Sequence, residues 1–99
     1  MLTLARIADI VGGTLVGDEK KVITGLCSLE SATPSSLTFY SDSRKSHLLS
    51  DCIAGVVLMR SQDVESYEGN RILVGDPYLA YARISQHFGD SQKNTPLNE

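Results

Sequence analysis

The sequence predicts a small α/β domain, a mixed sheet of about five strands with helices packed on it. Two short, continuously apolar runs, 55–59 and 72–74, are typical of strands that are covered on both faces. The segment 60–70 between them is about eleven residues long, which is near the minimum for a crossover between parallel strands. Such a crossover has room for a short helix at 63–67. A capped amphipathic helix follows the second run, so strands and helices alternate along the chain.

The first predicted helix has one apolar face. Its apolar residues recur at i, i+3, i+4 and i+7: Leu4, Ile7, Ala8 and Val11. Thr3 can cap the start of this helix, and Gly12 and Gly13 can adopt the left-handed conformation that ends it.

Short strands and turns are predicted for the middle of the domain. Residues 14–16 and 21–26 have strand composition, and the turn sequence 17–20 between them predicts a hairpin. Residues 37–40 predict a third strand. Residues 43–51 predict a helix, because Leu48, Leu49 and Cys52 lie on one side of it.

The last helix has the strongest local signals. Asp76 suits the N-cap and Pro77 the first helical position. One face carries the apolar residues Pro77, Ala80, Tyr81, Ile84 and Phe88. Gly89 ends the helix. We therefore expect the domain to occupy 1–89 and a disordered tail or linker to occupy 90–99.

Composition excludes several classes of protein. The 99 residues carry a net charge of −3 with scattered lysines and arginines, so no basic surface for nucleic acid is expected. No apolar run reaches about 18 residues, and Arg6 and Asp9 interrupt the apolar start. These features predict a cytoplasmic chain without a membrane span. Cys27 and Cys52 predict two buried thiols in a reducing compartment, with a disulfide or a reactive thiol as alternatives.

No catalytic, metal or cofactor site is predicted. His47 and His87 lie in no nucleophile motif and are expected at the surface or its boundary. The carboxylates are dispersed, without metal-ligand spacing. The glycines at 12, 13 and 17 follow a helix and open a strand, which is the reverse of a dinucleotide-binding context.

The segment 39–45 is the candidate binding site. Phe39 ends an apolar run, and a polar cluster follows it: Ser41, Asp42, Ser43, Arg44 and Lys45. A strand that ends in this way can form a pocket for a planar polar ligand. The residues alone favour the simpler interpretation, which is a solvated loop whose Ser41 or Asp42 caps a helix.

Several blocks, covering roughly residues 2–88, occur in the order of one known family. The chain resembles the amino-terminal non-repeat domain of UDP-3-O-acylglucosamine N-acyltransferase (LpxD), a family of lipid A biosynthesis. The matching blocks are LARIADIVGGTLVGD, VITGLCSLESATPSSLTFYSD, AGVVLM and ILVGDPYLAYARISQHF. The resemblance implies the fold also found at the amino terminus of some Mur ligases (MurE and MurF). It further implies a domain that binds the uridine part of a UDP-sugar.

In that family, a motif Phe-x-Ser-Asn-x-x-Tyr binds uracil between its two aromatic rings, and the Asn hydrogen-bonds the base edge. By position, the motif falls on Phe39, Ser41, Asp42 and Lys45. An ionised Asp can only accept hydrogen bonds, and Lys cannot stack as Tyr does. Each change costs about 1–3 kcal/mol. The resemblance thus implies a weakened or retuned site, with Phe39 as ring platform, Asp42 as edge contact, Ser41 as support, and Arg44 and Lys45 near the phosphates.

Catalysis in the family belongs to a second domain of hexapeptide repeats, which also forms the trimer. The 99 residues contain no such repeat, so we expect neither acyl transfer nor a trimer from them alone. The sequence leaves open whether they are a piece of a longer enzyme or a free-standing relative. The alternative function is an interaction or regulatory module that kept the scaffold and lost nucleotide binding.

Overall fold

The computed structural model describes residues 2–41 and 43–88, and of Ser43 only the backbone. The central sheet has five strands: β2 (Thr14–Val16), β4 (Gly25–Leu26), β5 (Ser36–Phe39), β6 (Val56–Met59) and β7 (Arg71–Leu73). Their order is β2-β7-β6-β5-β4, with β2 antiparallel to β7 and the other pairs parallel. The predicted mixed sheet of about five strands is confirmed. The further likeness to Mur ligase domains stays a prediction.

Helices and a small second sheet complete the described fold. The α-helices are α1 (Leu4–Val11), α2 (Ser46–Leu49) and α3 (Pro77–Phe88). Two 3₁₀ helices occupy Ser43–Lys45 and Ser61–Ser66. Strands β1 (Leu2–Thr3) and β3 (Val22–Ile23) form an antiparallel pair. The helix predicted at 43–51 is therefore a 3₁₀ turn followed by α2, and the crossover helix predicted at 63–67 is a 3₁₀ helix. Within 2–41 and 43–88, no helix has the length and apolarity needed to cross a membrane.

The predicted hairpin is wrong. β2 pairs with β7, so that Leu15 lies opposite Ile72, whereas β3 pairs with β1. The side chain of Asn70 holds this arrangement, because its Oδ1 accepts from the Asp18 N–H (2.9 Å) while its Nδ2 donates to the Gly55 carbonyl (3.0 Å). The 17–20 turn is thereby attached to the segment that enters β7, which directs β2 toward β7.

The single strand predicted at 21–26 is also wrong, because it divides at Thr24. The Thr24 N–H donates to the Ser35 carbonyl at 2.8 Å, between the two short strands β3 and β4. Residues before Thr24 pair with β1, and residues after it pair with β5.

The core lies on both faces of the sheet. All four β6 residues, Val56 to Met59, are fully buried, as the apolar run predicted. On one face α1 and α3 cover the sheet with the buried residues Leu4, Ile7, Ala80, Ile84 and Phe88. On the other face Val57 and Met59 pack with Leu49 and Tyr40. The short 99-residue chain thus covers its central strand with helices on one side and loops with α2 on the other.

The predicted start of α1, its end at Gly12 and the predicted start of α3 are confirmed, whereas Gly13 is not left-handed. Thr3 Oγ1 accepts from the Arg6 N–H at 3.3 Å, and Gly12 ends α1 with φ 69°. Asp76 Oδ1 accepts from the Leu79 N–H at 3.2 Å, with Pro77 as the first residue of α3. Both caps satisfy amides that have no partner inside the helix. The predicted end at Gly89 and the tail at 90–99 lie outside the described residues.

Candidate functional site

The carboxyl ends of β4, β5, β6 and β7 meet at one edge of the sheet, because these strands are parallel. The residues that follow them include Ser28, Ser41, Arg60 and Asp76. In open α/β sheets, ligands bind in crevices outside the carboxyl ends of the strands. This edge is therefore the expected location of a binding site.

A cleft of about 190 Å³ opens at this edge. Its walls are Ser28, Leu29, Glu30, Thr38, Phe39, Ser41 and Lys45. Three of the five sequence-predicted site residues, Phe39, Ser41 and Lys45, thus share one cleft. Arg44 lies in the adjacent 3₁₀ helix, is exposed, and is not among the wall residues. Asp42 lies outside the described residues.

Phe39 is half-buried and is held by two tyrosines of α3. Its ring centroid lies 4.7 Å from that of Tyr81, with an interplanar angle of 46°. The ring of Tyr78 meets it edge-on at 5.7 Å and 62°. The next residue, Tyr40, is 4% exposed and faces the opposite side of the sheet. Phe39 therefore contributes to the core and also forms a wall of the cleft.

Tyr81 also joins α3 to the end of β4. Its hydroxyl donates to the Cys27 carbonyl at 3.4 Å. Partial burial, and to a smaller extent the charge interaction with Cys27, raise the pKa of Tyr81 above its ordinary value of 10.0. The phenol is therefore neutral near neutral pH and can keep donating this bond.

Charged groups of both signs surround the cleft. The Glu30 carboxylate and the Lys45 ammonium are exposed wall residues. Arg60, the residue that follows β6, donates from Nη1 to the Ser41 carbonyl at 3.4 Å. This contact brings a third charged side chain to the rim of the cleft.

Sequence reasoning missed Tyr78, Tyr81, Glu30 and Arg60 as site residues. Tyr81 was assigned to the core face of the last helix, and nothing local indicated that it meets Phe39. The signal for Arg60 was available, because a charged residue directly after a buried parallel strand lies at the ligand-binding edge.

None of the cysteines and histidines is a wall residue of the cleft. Cys27 and Cys52 are half-buried rather than buried, and they are not joined by a disulfide. The Sγ of Cys27 lies 2.8 Å from Ser36 Oγ. His47 and His87 are exposed. In the part of the chain that the structure describes, no three His, Cys, Asp or Glu side chains are grouped so that they could hold a metal ion.

Larger openings lie elsewhere. One of about 280 Å³ lies at the amino end of β7, near Lys21 and Asn70, and one of about 420 Å³ lies beside α2 and Tyr67. The single hydroxyl proton of Tyr67 is shared between the Cys52 and Ala54 carbonyls, at 3.3 and 3.2 Å from the hydroxyl oxygen, so Tyr67 connects loops. Neither of these openings lies at the carboxyl edge. A third opening, of about 290 Å³, does lie there, beside Ser61 and Gly75, but its walls contain no aromatic ring. The smaller cleft, which includes Phe39, is therefore the better candidate site.

The fold and the cleft define a small α/β domain that exposes part of an aromatic ring at the carboxyl edge of its sheet. The sequence profile of UDP-3-O-(3-hydroxymyristoyl) glucosamine N-acyltransferase, LpxD, matches residues 20–87. The chain belongs to this family, which confirms the resemblance read from its sequence blocks.

Three relatives show the extent of the similarity. UDP-3-O-acylglucosamine N-acyltransferase of Pseudomonas fluorescens Pf-5 is 45% identical over 92 residues, which cover 93% of this chain and 26% of the relative. The Pseudomonas putida KT2440 protein of the same name is 44% identical, with the same coverage. That of Ectopseudomonas mendocina ymp is 42% identical over 94 residues, covering 95% and 27%. The chain thus spans about a quarter of the length of these curated relatives.

Proposed function

We propose that this domain binds the uridine part of a UDP-sugar, with the uracil ring lying against Phe39 in the carboxyl-edge cleft. The observation that carries the proposal is the position of Phe39, whose ring forms a wall of the cleft while Tyr81 packs against it at 4.7 Å. The names of the relatives state that those proteins act on a UDP-acylglucosamine. A family member that keeps an aromatic ring at this edge can serve the same class of ligand.

The size of the cleft supports a base rather than a whole nucleotide sugar. Pockets that enclose a drug-sized ligand have about 300–1,000 Å³. The 190 Å³ here accommodates one heterocycle, and the sugar and phosphates would extend over the surface. A base stacked on an aromatic side chain gains about 1–3 kcal/mol.

The polar walls can complement the edge of uracil. Uracil presents an N3–H donor between two carbonyl acceptors. The Glu30 carboxylate offers only acceptors, and the Lys45 ammonium offers only donors. Because Lys45 stands where the family has a second stacking ring, we expect affinity roughly 5- to 150-fold below that of a two-ring site.

For these 99 residues we propose substrate binding rather than acyl transfer. The relatives are named N-acyltransferases, and the region matched here is about a quarter of each. We assign no catalytic role to the exposed His47 and His87. Acyl transfer and lipid A biosynthesis are thus proposed for the complete protein to which such a domain belongs.

Titration with UMP, UDP, UDP-N-acetylglucosamine, CMP and AMP, followed by NMR and calorimetry, tests the proposal. We expect uridine nucleotides to shift the resonances of Phe39, Ser41 and Lys45. The variant Phe39→Leu keeps an apolar contact with Tyr81 and should lose binding. Tyr67→Phe, which alters an aromatic residue outside the cleft, is the matched control and should bind normally. The proposal fails if millimolar uridine nucleotides leave the Phe39 region unchanged.

The second candidate, an interaction module without nucleotide binding, has one observation in its favour. Tyr78 and Leu79, side by side in the first turn of α3, are 66% and 55% exposed. Exposed apolar groups at this edge could be covered by another protein surface. The same titration separates the two candidates. An interaction module would show no change in its NMR resonances when UMP is added, either in the wild type or in Phe39→Leu.

A further inference from the structure

We propose that Arg60 binds the phosphates of the nucleotide whose base occupies the cleft, an inference that rests on the proposed function. Arg60 directly follows β6, the strand beside β5, at the carboxyl edge. Its Nη1 donates to the carbonyl of Ser41, itself a wall residue of the cleft. The guanidinium is therefore held at the rim rather than inside.

The volume of the cleft separates the base from the phosphates. About 190 Å³ accommodates a heterocycle, so a diphosphate attached to it must lie outside. The wall residue Glu30 also carries a negative charge, which opposes entry of a phosphate. Both effects direct the anionic part of the ligand to the cationic part of the rim.

Arg60 suits this role better than Lys45. A guanidinium has five donors in a rigid fork, and the Ser41 contact uses one of them. The remaining donors can bind phosphate oxygens in pairs. Lys45 is an exposed point charge on a flexible stem in the 3₁₀ helix. Arg60 is half-buried, and its bond to the Ser41 carbonyl already restricts the side chain, so less side-chain freedom is lost when it binds.

The test compares uridine with UDP, because only UDP carries phosphate. Calorimetry would give dissociation constants for the wild type and for Arg60→Met, Arg60→Lys, Lys45→Met and Arg6→Met. Arg6, exposed on α1, is the matched control. We expect the wild type to bind UDP roughly tenfold more tightly than uridine, and Arg60→Met to remove most of that difference. The affinity of Arg60→Met for uridine should stay within about twofold of the wild type. Arg60→Lys should keep part of the preference for UDP over uridine, and Arg6→Met should keep all of it.

Each outcome has a distinct meaning. A UDP preference that survives Arg60→Met, or that disappears only in Lys45→Met, overturns the role of Arg60. Equal weakening of uridine and UDP by Arg60→Met also overturns it, since that pattern indicates a damaged cleft. If the wild type binds neither ligand, the proposed function fails. If Phe39→Leu abolishes uridine binding and Arg60→Met changes nothing, the proposed function stands and this inference fails.

Discussion

The aromatic ring of Phe39, at the end of β5, packs against that of Tyr81 in the middle of α3, with ring centroids 4.7 Å apart. The same tyrosine reaches the end of β4 through its hydrogen bond to the Cys27 carbonyl. One side chain of the last helix therefore orients the proposed platform and joins it to the neighbouring strand. The family resemblance pointed to Phe39, and the fold adds the residue that holds it.

Replacing Tyr81 with Leu should lower both stability and nucleotide binding. An aromatic pair contributes about 0.5–1.5 kcal/mol beyond burial, and the lost hydrogen bond adds about 0.5–1.5 kcal/mol. We expect the free energy of unfolding in urea to fall by about 1–3 kcal/mol. Tyr78→Leu is the control, because Tyr78 is 66% exposed and touches Phe39 only edge-on. A larger loss in the control would contradict the assigned role of Tyr81.

Stability should decline above about pH 10, the ordinary tyrosine pKa. Burial raises the pKa of Tyr67 and of Tyr81 in the folded chain. The unfolded chain loses these phenolic protons first, so the stabilisation is complete below about pH 10 and is lost as the pH rises through the folded values. Urea midpoints measured from neutral to alkaline pH should fall less in Tyr67→Phe and Tyr81→Phe than in the wild type. If the urea midpoints of both variants fall with pH as steeply as that of the wild type, this expectation is wrong.

Asn70→Ala should destabilise the domain by about 1–3 kcal/mol, because the Asp18 amide and the Gly55 carbonyl both lose a partner. Amide hydrogen exchange should quicken at Asp18 more than in β6. The exposed Gln62, in the second 3₁₀ helix, offers the control Gln62→Ala, which should change little. If the two variants are equally stable, the Asn70 bonds do not hold β2 beside β7.

Restoring the family motif should strengthen uridine binding. Asp42→Asn supplies an amide that can both donate to and accept from the uracil edge, and Lys45→Tyr supplies a second ring. We expect each change to improve UMP affinity by roughly 5- to 150-fold, measured by calorimetry. Lys20→Tyr adds a ring in the exposed 17–20 turn, away from the cleft, and should have no effect. Failure of the double variant to bind UMP more tightly would argue against uracil as the ligand.

Local signals in the sequence were sufficient for α1, for the start of α3 and for the central strand. The Thr3 and Asp76 side chains each cap an amide only three residues further along the chain. The apolar residues of α1 likewise lie within two consecutive helical turns. The unbroken apolar run at 55–59 predicted a strand buried on both faces, and all four residues of β6 are buried. The family blocks added the expectation that one site contains Phe39, Ser41, Asp42, Arg44 and Lys45. The structure brings Phe39, Ser41 and Lys45 to one cleft, whereas Arg44 is not a wall residue and Asp42 lies outside the described residues.

Contacts between distant residues decided the rest. Strand pairing depends on long-range contacts such as the bond between Asp18 and Asn70, 52 residues apart, and the platform depends on one between Cys27 and Tyr81, 54 apart. A turn sequence specifies a reversal of the chain but not the partner of the next strand, so the hairpin prediction failed where Asn70 connected that turn to β7. By itself the sequence determined α1, the start of α3, the central strand and the family. The tertiary structure alone decided which side chains meet, because packing depends on residues that spacing along the chain does not relate.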